Sequence, residues 1–290
     1  MNKMNKHFLF IVYTSLATAT GIQAAGYQVP ADTVPVPQPV VLEMAVPNQN
    51  PVEKPKTTDK TANLPGATLE IMSIKQDGIS HAAFDSILQR YVSAKGRVNY
   101  KGLKAHKADL DAYCQTLSEN PVQDDWSREE QMVYWINAYN AFTLQLIVTH
   151  YPIKSILNLD GGKTWDVKRI KIGGEKYSLN NIENDILRPL FKDARIHFAI
   201  NCAAKSCPPL LNRAYSAKYL ETYLDARTKA FINDPAFNQF SAGKASVSKI
   251  FEWYAVDFGN LNKFLNRYVK QQLKGNTTVL FMEYDWGLNE

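Results

Sequence analysis

Residues 127–150 read SREEQMVYWINAYNAFTLQLIVTH and carry the strongest helix signal in the chain. Ser127 and Glu130 stand in the S-x-x-E spacing of a capping box, in which each side chain satisfies a backbone N–H of the first turn. That role accounts for Glu130 without assigning it catalysis. Behind the box, Met132, Val133, Trp135, Ile136, Tyr139, Phe142, Leu144, Leu146, Ile147 and Val148 cover more than one helical face. The helix is therefore expected at the centre of its domain, with neighbours on several sides. Asn137 and Asn140, three residues apart, project from one side of it. A buried amide must be hydrogen-bonded or it is costly, so the pair either locks a neighbouring loop or lines a site.

Working outward, Phe84, Ile87, Leu88, Tyr91 and Val92 recur at helical spacing before Gly96. After a short extended piece over residues 97–100, Leu110, Tyr113, Cys114 and Leu117 mark one face of a second helix that ends before Pro121. Cys114 on that stripe is expected to be a core thiol. On the other side, Pro152 ends the central helix, and residues 169–178 read as a hairpin turning at Gly173-Gly174. Ser178 is expected to cap a helix over residues 179–191 that Pro189 cuts short. Ile196, Phe198 and Ile200 alternate with Arg195, His197 and Ala199, the pattern of a strand over residues 195–201. Helices around 219–232, 249–254 and 261–273 and an extended stretch over 278–284 follow, with Asp257 expected to cap the third. Helices outnumber strands, so the expected fold class is α+β, mostly helical with a small, largely antiparallel sheet.

The N-terminal end has a different character. Lys3 and Lys6 precede an uncharged run over residues 8–22, which closes on Gln23-Ala24-Ala25. A basic stretch, an apolar core and small residues are what a signal peptidase needs, so residues 1–25 are expected to be a signal peptide cut after Ala24 or Ala25. The run is too short and too polar for a span of ~20 residues, so no transmembrane anchor is expected after cleavage. The destination is then periplasmic or secreted. Residues 26–66 hold eight of the 14 prolines and are expected to be a disordered linker. Residues 67–290, with nearly all the aromatics, are expected to form a single globular domain. Removing residues 1–25 takes two Lys from 33 cations set against 28 acids, leaving a net charge of +3 with scattered Lys and Arg. No nucleic-acid partner is expected from such a balance.

A longer series of motifs runs through the domain. It comprises Tyr134-Trp135-Ile136-Asn137-Ala138-Tyr139-Asn140-Ala141, His150-Tyr151-Pro152-Ile153-Lys154-Ser155-Ile156 and Gly173-Gly174 followed by Ile182-Glu183 and Ile186-Leu187-Arg188-Pro189. It continues with Cys202-Ala-Ala-Lys-Ser-Cys207-Pro-Pro, Val247-Ser248-Lys249-Ile250-Phe251-Glu252-Trp253-Tyr254, Asp257-Phe258 and Glu283-Tyr284-Asp285-Trp286. In this order, from about Val98 to the C-terminus, the sequence resembles the family known as domain of unknown function 547. The resemblance implies no particular reaction. By analogy it implies a kinship with papain-like and transglutaminase-like folds, and an analogy of fold does not carry function.

Reactive side chains converge in one segment, from His197 to Pro209, and three readings of it compete. In the first, Cys202 is the nucleophile of a thiol-dependent acyl transferase or amide hydrolase, in a small-residue loop whose backbone N–H groups are free for an oxyanion. Such chemistry needs a base near the sulfur. His197 stands roughly 16 Å away if the intervening strand is extended at ~3.3 Å per residue, and His150, at the end of the central helix, reaches the site only through tertiary folding. The candidate catalytic residues on this reading are Cys202, Asn137, Asn140 and His150. In the second, Cys202 and Cys207 form a disulfide that pins the loop, as export to an oxidising compartment favours. A dithiol redox role is a subsidiary form of it, although the spacing is C-x4-C and not C-x-x-C. In the third, the domain is a binding module in which Trp135, Tyr139, Trp165, Trp253, Tyr254 and Trp286 line a cleft for a peptide or glycan.

Other signals are absent from the sequence. It has no Gly-rich phosphate loop, H-E-x-x-H or G-x-S-x-G, and Cys and His are too few in register for zinc. Asp257-Phe258-Gly259 matches the kinase triplet by letters only. No cofactor or metal is expected, and the expected partner is a peptide or cell-wall substrate.

Overall fold

The computed structural model describes residues 78–290. The expected signal peptide, the linker and the first residues of the domain lie outside them. The central helix, α4 (Arg128–His150), forms with its capping box: Ser127 Oγ accepts the Glu130 N–H at 3.2 Å, and Glu130 Oε2 accepts the Ser127 N–H at 2.7 Å. From Met132 to Val148 every residue except Gln145 is buried. Against it pack α2 (Tyr100–Ala105) and α3 (Lys107–Glu119), and α1 (Ala82–Tyr91) packs on those two. The expected extended piece over residues 97–100 is reduced to a single bridge between Val98 and Val92, and α2 begins at its last residue, Tyr100. Asn99 starts the helix, its side chain accepting the Gly102 N–H at 2.8 Å. Cys114 is a buried core thiol, and burial raises its pKa.

The hairpin forms as β1 (Ile170–Ile172) and β2 (Glu175–Tyr177), with Gly173 and Gly174 at φ 58° and 87°. Those angles are open to glycine at little steric cost. Ser178 caps the following helix, but Pro189 does not cut it short. A π-helical stretch, Asn181–Leu187, leads into α5 (Arg188–Phe191). Pro189 sits in the first turn of α5, where a missing N–H is tolerated.

The expected strand over residues 195–201 is a second correction, because Ala194–Phe198 is a 3₁₀ helix capped by the Asp193 side chain. The alternation is genuine but separates two cores, not two faces of a sheet. Ile196, Ala199 and Ile200 enter the large core around α4. Phe198 enters a smaller core with Phe231, Phe251, Phe258 and Phe264.

The smaller core is built from α6 (Leu220–Ile232), β3 (Gln239–Ser241), β4 (Lys244–Val247), α7 (Ile250–Trp253), α8 (Ala255–Phe258), α9 (Leu261–Leu265) and β5 (Thr278–Phe281). Strand β4 pairs antiparallel with β3 and parallel with β5. Helix α9 stops well before the expected residue 273. There the Asn266 amide takes over the backbone, accepting the Leu273 N–H at 2.7 Å and donating to the Leu273 carbonyl at 3.0 Å. Its N-cap is Asn260, whose side chain accepts the Lys263 N–H, and not Asp257. The fold class is α+β: helices dominate, with a two-stranded antiparallel sheet and a three-stranded mixed one. No helix among the described residues is long and apolar enough to cross a membrane.

Candidate functional site

Behind the 3₁₀ helix the chain runs irregularly through residues 199–203 and turns at Ala203, a buried alanine at φ 65°. An L-residue adopts that left-handed conformation only when its surroundings hold it there. The turn folds the loop around two sulfurs. Cys202 Sγ and Cys207 Sγ lie 3.1 Å apart as free thiols, Cys202 partly exposed and Cys207 only 6 % exposed. The Cys202 N–H donates to Cys207 Sγ at 3.0 Å, and the Tyr284 hydroxyl lies 3.4 Å from Cys202 Sγ.

The two thiols differ in acidity. Hydrogen bonds from the Cys207 thiol, the Tyr284 hydroxyl and the Ala204 N–H stabilise a Cys202 thiolate against its desolvation and lower its pKa. Burial and the adjacent Cys202 push Cys207 well up. Cys202 is thus the sulfur that ionises, and Cys207 keeps its proton.

Buried amides hold the loop. Asn140 Nδ2 donates to the Ala199 carbonyl and its Oδ1 accepts the Asn201 N–H, both at 2.9 Å. Asn201 Oδ1 accepts the Ala203 N–H at 2.8 Å and an N–H of the Asn289 amide at 3.1 Å, while Asn201 Nδ2 donates to the Pro208 carbonyl at 2.8 Å. Tyr100 closes the chain by donating to Asn289 Oδ1 at 2.7 Å. Asn137 does the same service elsewhere, bonding the Tyr215 backbone through both its amide atoms. Of the two roles open to this pair, both asparagines lock loops, and Asn140 locks the one that carries Cys202.

The remaining loop N–H groups are also committed. Lys205 and Ser206 donate to the Gly287 and Asp285 carbonyls, and Cys207 to that of Ala204. With the Cys202 N–H on Cys207, the Ala203 N–H on Asn201 and the Ala204 N–H on Cys202, no loop donor from 202 to 207 is left over for an oxyanion.

His197 does not serve the sulfurs. Its Nε2 lies 2.7 Å from Asp257 Oδ2, its Nδ1 is 3.8 Å from Glu183 Oε1, and Tyr254 stacks on its ring at 3.9 Å. Asp257 also receives two bonds from Arg188, at 2.5 and 3.0 Å. His197 and Arg188 together hold the Asp257 carboxyl far below its ordinary range, so the carboxylate accepts and His197 Nε2 carries the proton. The Tyr254 hydroxyl bonds the buried Glu183. His150, at the exposed end of α4, bonds the Leu146 carbonyl of its own helix at 2.9 Å and is not brought to Cys202.

The aromatic residues divide. Trp135 and Tyr139 are core. Trp165, Trp253 and Trp286 gather with Tyr284 in a chain of ring contacts 4.6 to 5.8 Å apart, and Trp253 is 44 % exposed. Tyr284 therefore joins this ring cluster to the thiol pair. Tyr284, Asn201, Asn289 and Tyr100 escaped the sequence reading. Two of them leave a sequence-level trace: Asn201 abuts Cys202, and Tyr284 lies in the last family motif.

No curated protein and no solved structure matches the chain, so the papain-like analogy gains no support from them. A family model does match, over residues 123–232. That span runs from α4 through α6 and holds Asn140, Glu183, His197 and both cysteines of the pair, while Asp257 and Tyr284 lie beyond it. The segment that carries the thiol pair is a domain of the family described as "Protein of unknown function, DUF547".

Proposed function

We propose that the domain performs thiol–disulfide exchange, with Cys202 as the attacking thiol and Cys207 as the resolving one. The observation that carries this reading is the pair itself: two free sulfurs 3.1 Å apart, of which Cys202 alone is acidified. The Cys202 thiolate attacks one sulfur of a peptide disulfide. The substrate S–S bond breaks, and its other sulfur leaves and takes up a proton. Cys207 gives its proton to solvent and attacks Cys202 Sγ, which frees the second substrate thiol and closes the Cys202–Cys207 bond. The substrate gains two electrons and two protons, and the pair loses them; the reverse direction oxidises a peptide dithiol. Closing the bond takes a movement of about 1 Å, to the ordinary S–S length of about 2.0 Å. The export expected from residues 1–25 supports an oxidising compartment, in which the closed form is also the loop disulfide.

Acyl transfer or amide hydrolysis at Cys202 is the second reading. It is favoured by the Tyr284 hydroxyl at 3.4 Å and by the exposed ring of Trp253 with its half-buried neighbours, against which a peptide or cell-wall substrate would lie. It lacks two things the exchange reading does not need. Among the described residues no imidazole or carboxylate bonds either sulfur, and the loop keeps no oxyanion donor.

Thiol counting in the unfolded protein, after equilibration with oxidised and then reduced glutathione, tests the proposal. One reactive thiol should become three, and Cys207→Ser should trap a mixed disulfide through Cys202. Three thiols throughout, with hydrolysis of amide substrates abolished by Cys202→Ala, would move the assignment to the second reading.

A further inference from the structure

On the Cys207 side of the loop, a cavity of about 510 Å³ opens between the turn after α1, the loop itself and α6. Lys95, Arg97, Lys205 and Arg227 line it against a single carboxylate, Asp234. Lys205 has a loose contact of 3.9 Å with Asp285. The other three cations have no carboxylate within 4.0 Å among the described residues, and the Asp234 carboxylate is turned onto the Ala236 N–H at 2.9 Å.

Arg227 is the unusual member. Its guanidinium donates to the Pro209 carbonyl, its buried Nε has no partner, and burial lowers its pKa. A guanidinium partly withdrawn from water without a counter-charge is costly to the fold. An anion entering the cavity would offset that cost, and the three further cations would add to its attraction. The volume falls in the range of organic-ligand pockets, about 300–1,000 Å³.

We propose that this cavity binds a small organic or inorganic polyanion, carrying two or more carboxylate or phosphate groups, with Arg227 as its fixed counter-charge. Cys207 contributes to the lining, so the cavity borders the thiol pair, but anion binding in it does not depend on exchange activity.

Calorimetric titration of the full chain with citrate and with pyrophosphate, against sodium chloride of matched ionic strength, tests it. Saturable binding of either one is expected, and the stronger of the two identifies the oxyanion class. Arg227→Met should weaken that binding at least tenfold while leaving the ligand-free protein no less stable, since it removes an uncompensated charge. Should that variant not fold, Lys95→Gln/Arg97→Gln, both at exposed positions, should weaken binding at least threefold. Heats no larger than those of the matched chloride, or equal binding by the wild type and whichever variant folds, would overturn the proposal.

Discussion

Asn140 and Asn201 are joined side chain to backbone at 2.9 Å, which ties the middle of the central helix to the residue that precedes Cys202. Both partners are buried, so the bond cannot be exchanged for one to water. Asn140→Ala strands the Asn201 N–H and the Ala199 carbonyl together, and is expected to cost about 2–4 kcal/mol. Urea denaturation should show this as a lower midpoint, and alkylation of Cys202 should speed up as the loop loosens. An unchanged midpoint would mean that the loop does not depend on this tie.

Cys202 should react with iodoacetamide along a pH profile displaced to lower pH than the ordinary thiol value of 9.0, since the thiolate is the reacting form and its pKa is lowered. Cys207→Ala removes the largest stabiliser of that thiolate and should move the profile up. Tyr284→Phe should move it up by less. Mass spectrometry of the modified peptide separates Cys202 from Cys114, which burial keeps protonated and unlabelled in the native protein.

Asp257 links α8 to His197 and Arg188, so acid should loosen that junction. Its folded pKa lies below the ordinary 3.8. The stabilisation is therefore complete above the unfolded value and fades as pH falls through the depressed one. Asp257→Asn should lose about 2 kcal/mol at neutral pH. Below pH 4 its stability should fall less steeply than that of the wild type. Parallel denaturation curves across that range would exclude the assigned pairing.

Gly96 combines φ +75° with a crowded contact: a Cβ there would lie 2.5 Å from Pro209 Cβ and 2.7 Å from the Leu210 N. Gly96→Ala is expected to destabilise by more than about 2 kcal/mol, because left-handed strain adds to backbone overlap. Pro209 stands two residues after Cys207, so the same variant should make Cys207 more accessible to thiol reagents. Thermal denaturation and peptide-level labelling measure the two effects. Wild-type behaviour in both would show that the turn can give way.

The sequence by itself determined what rests on neighbouring residues. The capping box at Ser127 and the apolar cover of residues 132–148 placed the central helix, the Gly173-Gly174 pair placed the hairpin, and the stripe through Cys114 placed a core thiol. Each follows from helical period, backbone dihedrals or a bond three residues long. Tertiary structure alone decided the rest. Whether alternating residues 195–201 face one sheet or two cores is invisible to periodicity, and here Ile196 and Phe198 go to separate cores. Asp257 pairs with Arg188 across 69 positions, Tyr284 meets Cys202 across 82, and Asn289 reaches Asn201 across 88. Partners so distant leave no local pattern, because nothing but the packed chain brings them together. That packing turns two cysteines spaced C-x4-C into one acidic thiol and one protonated neighbour.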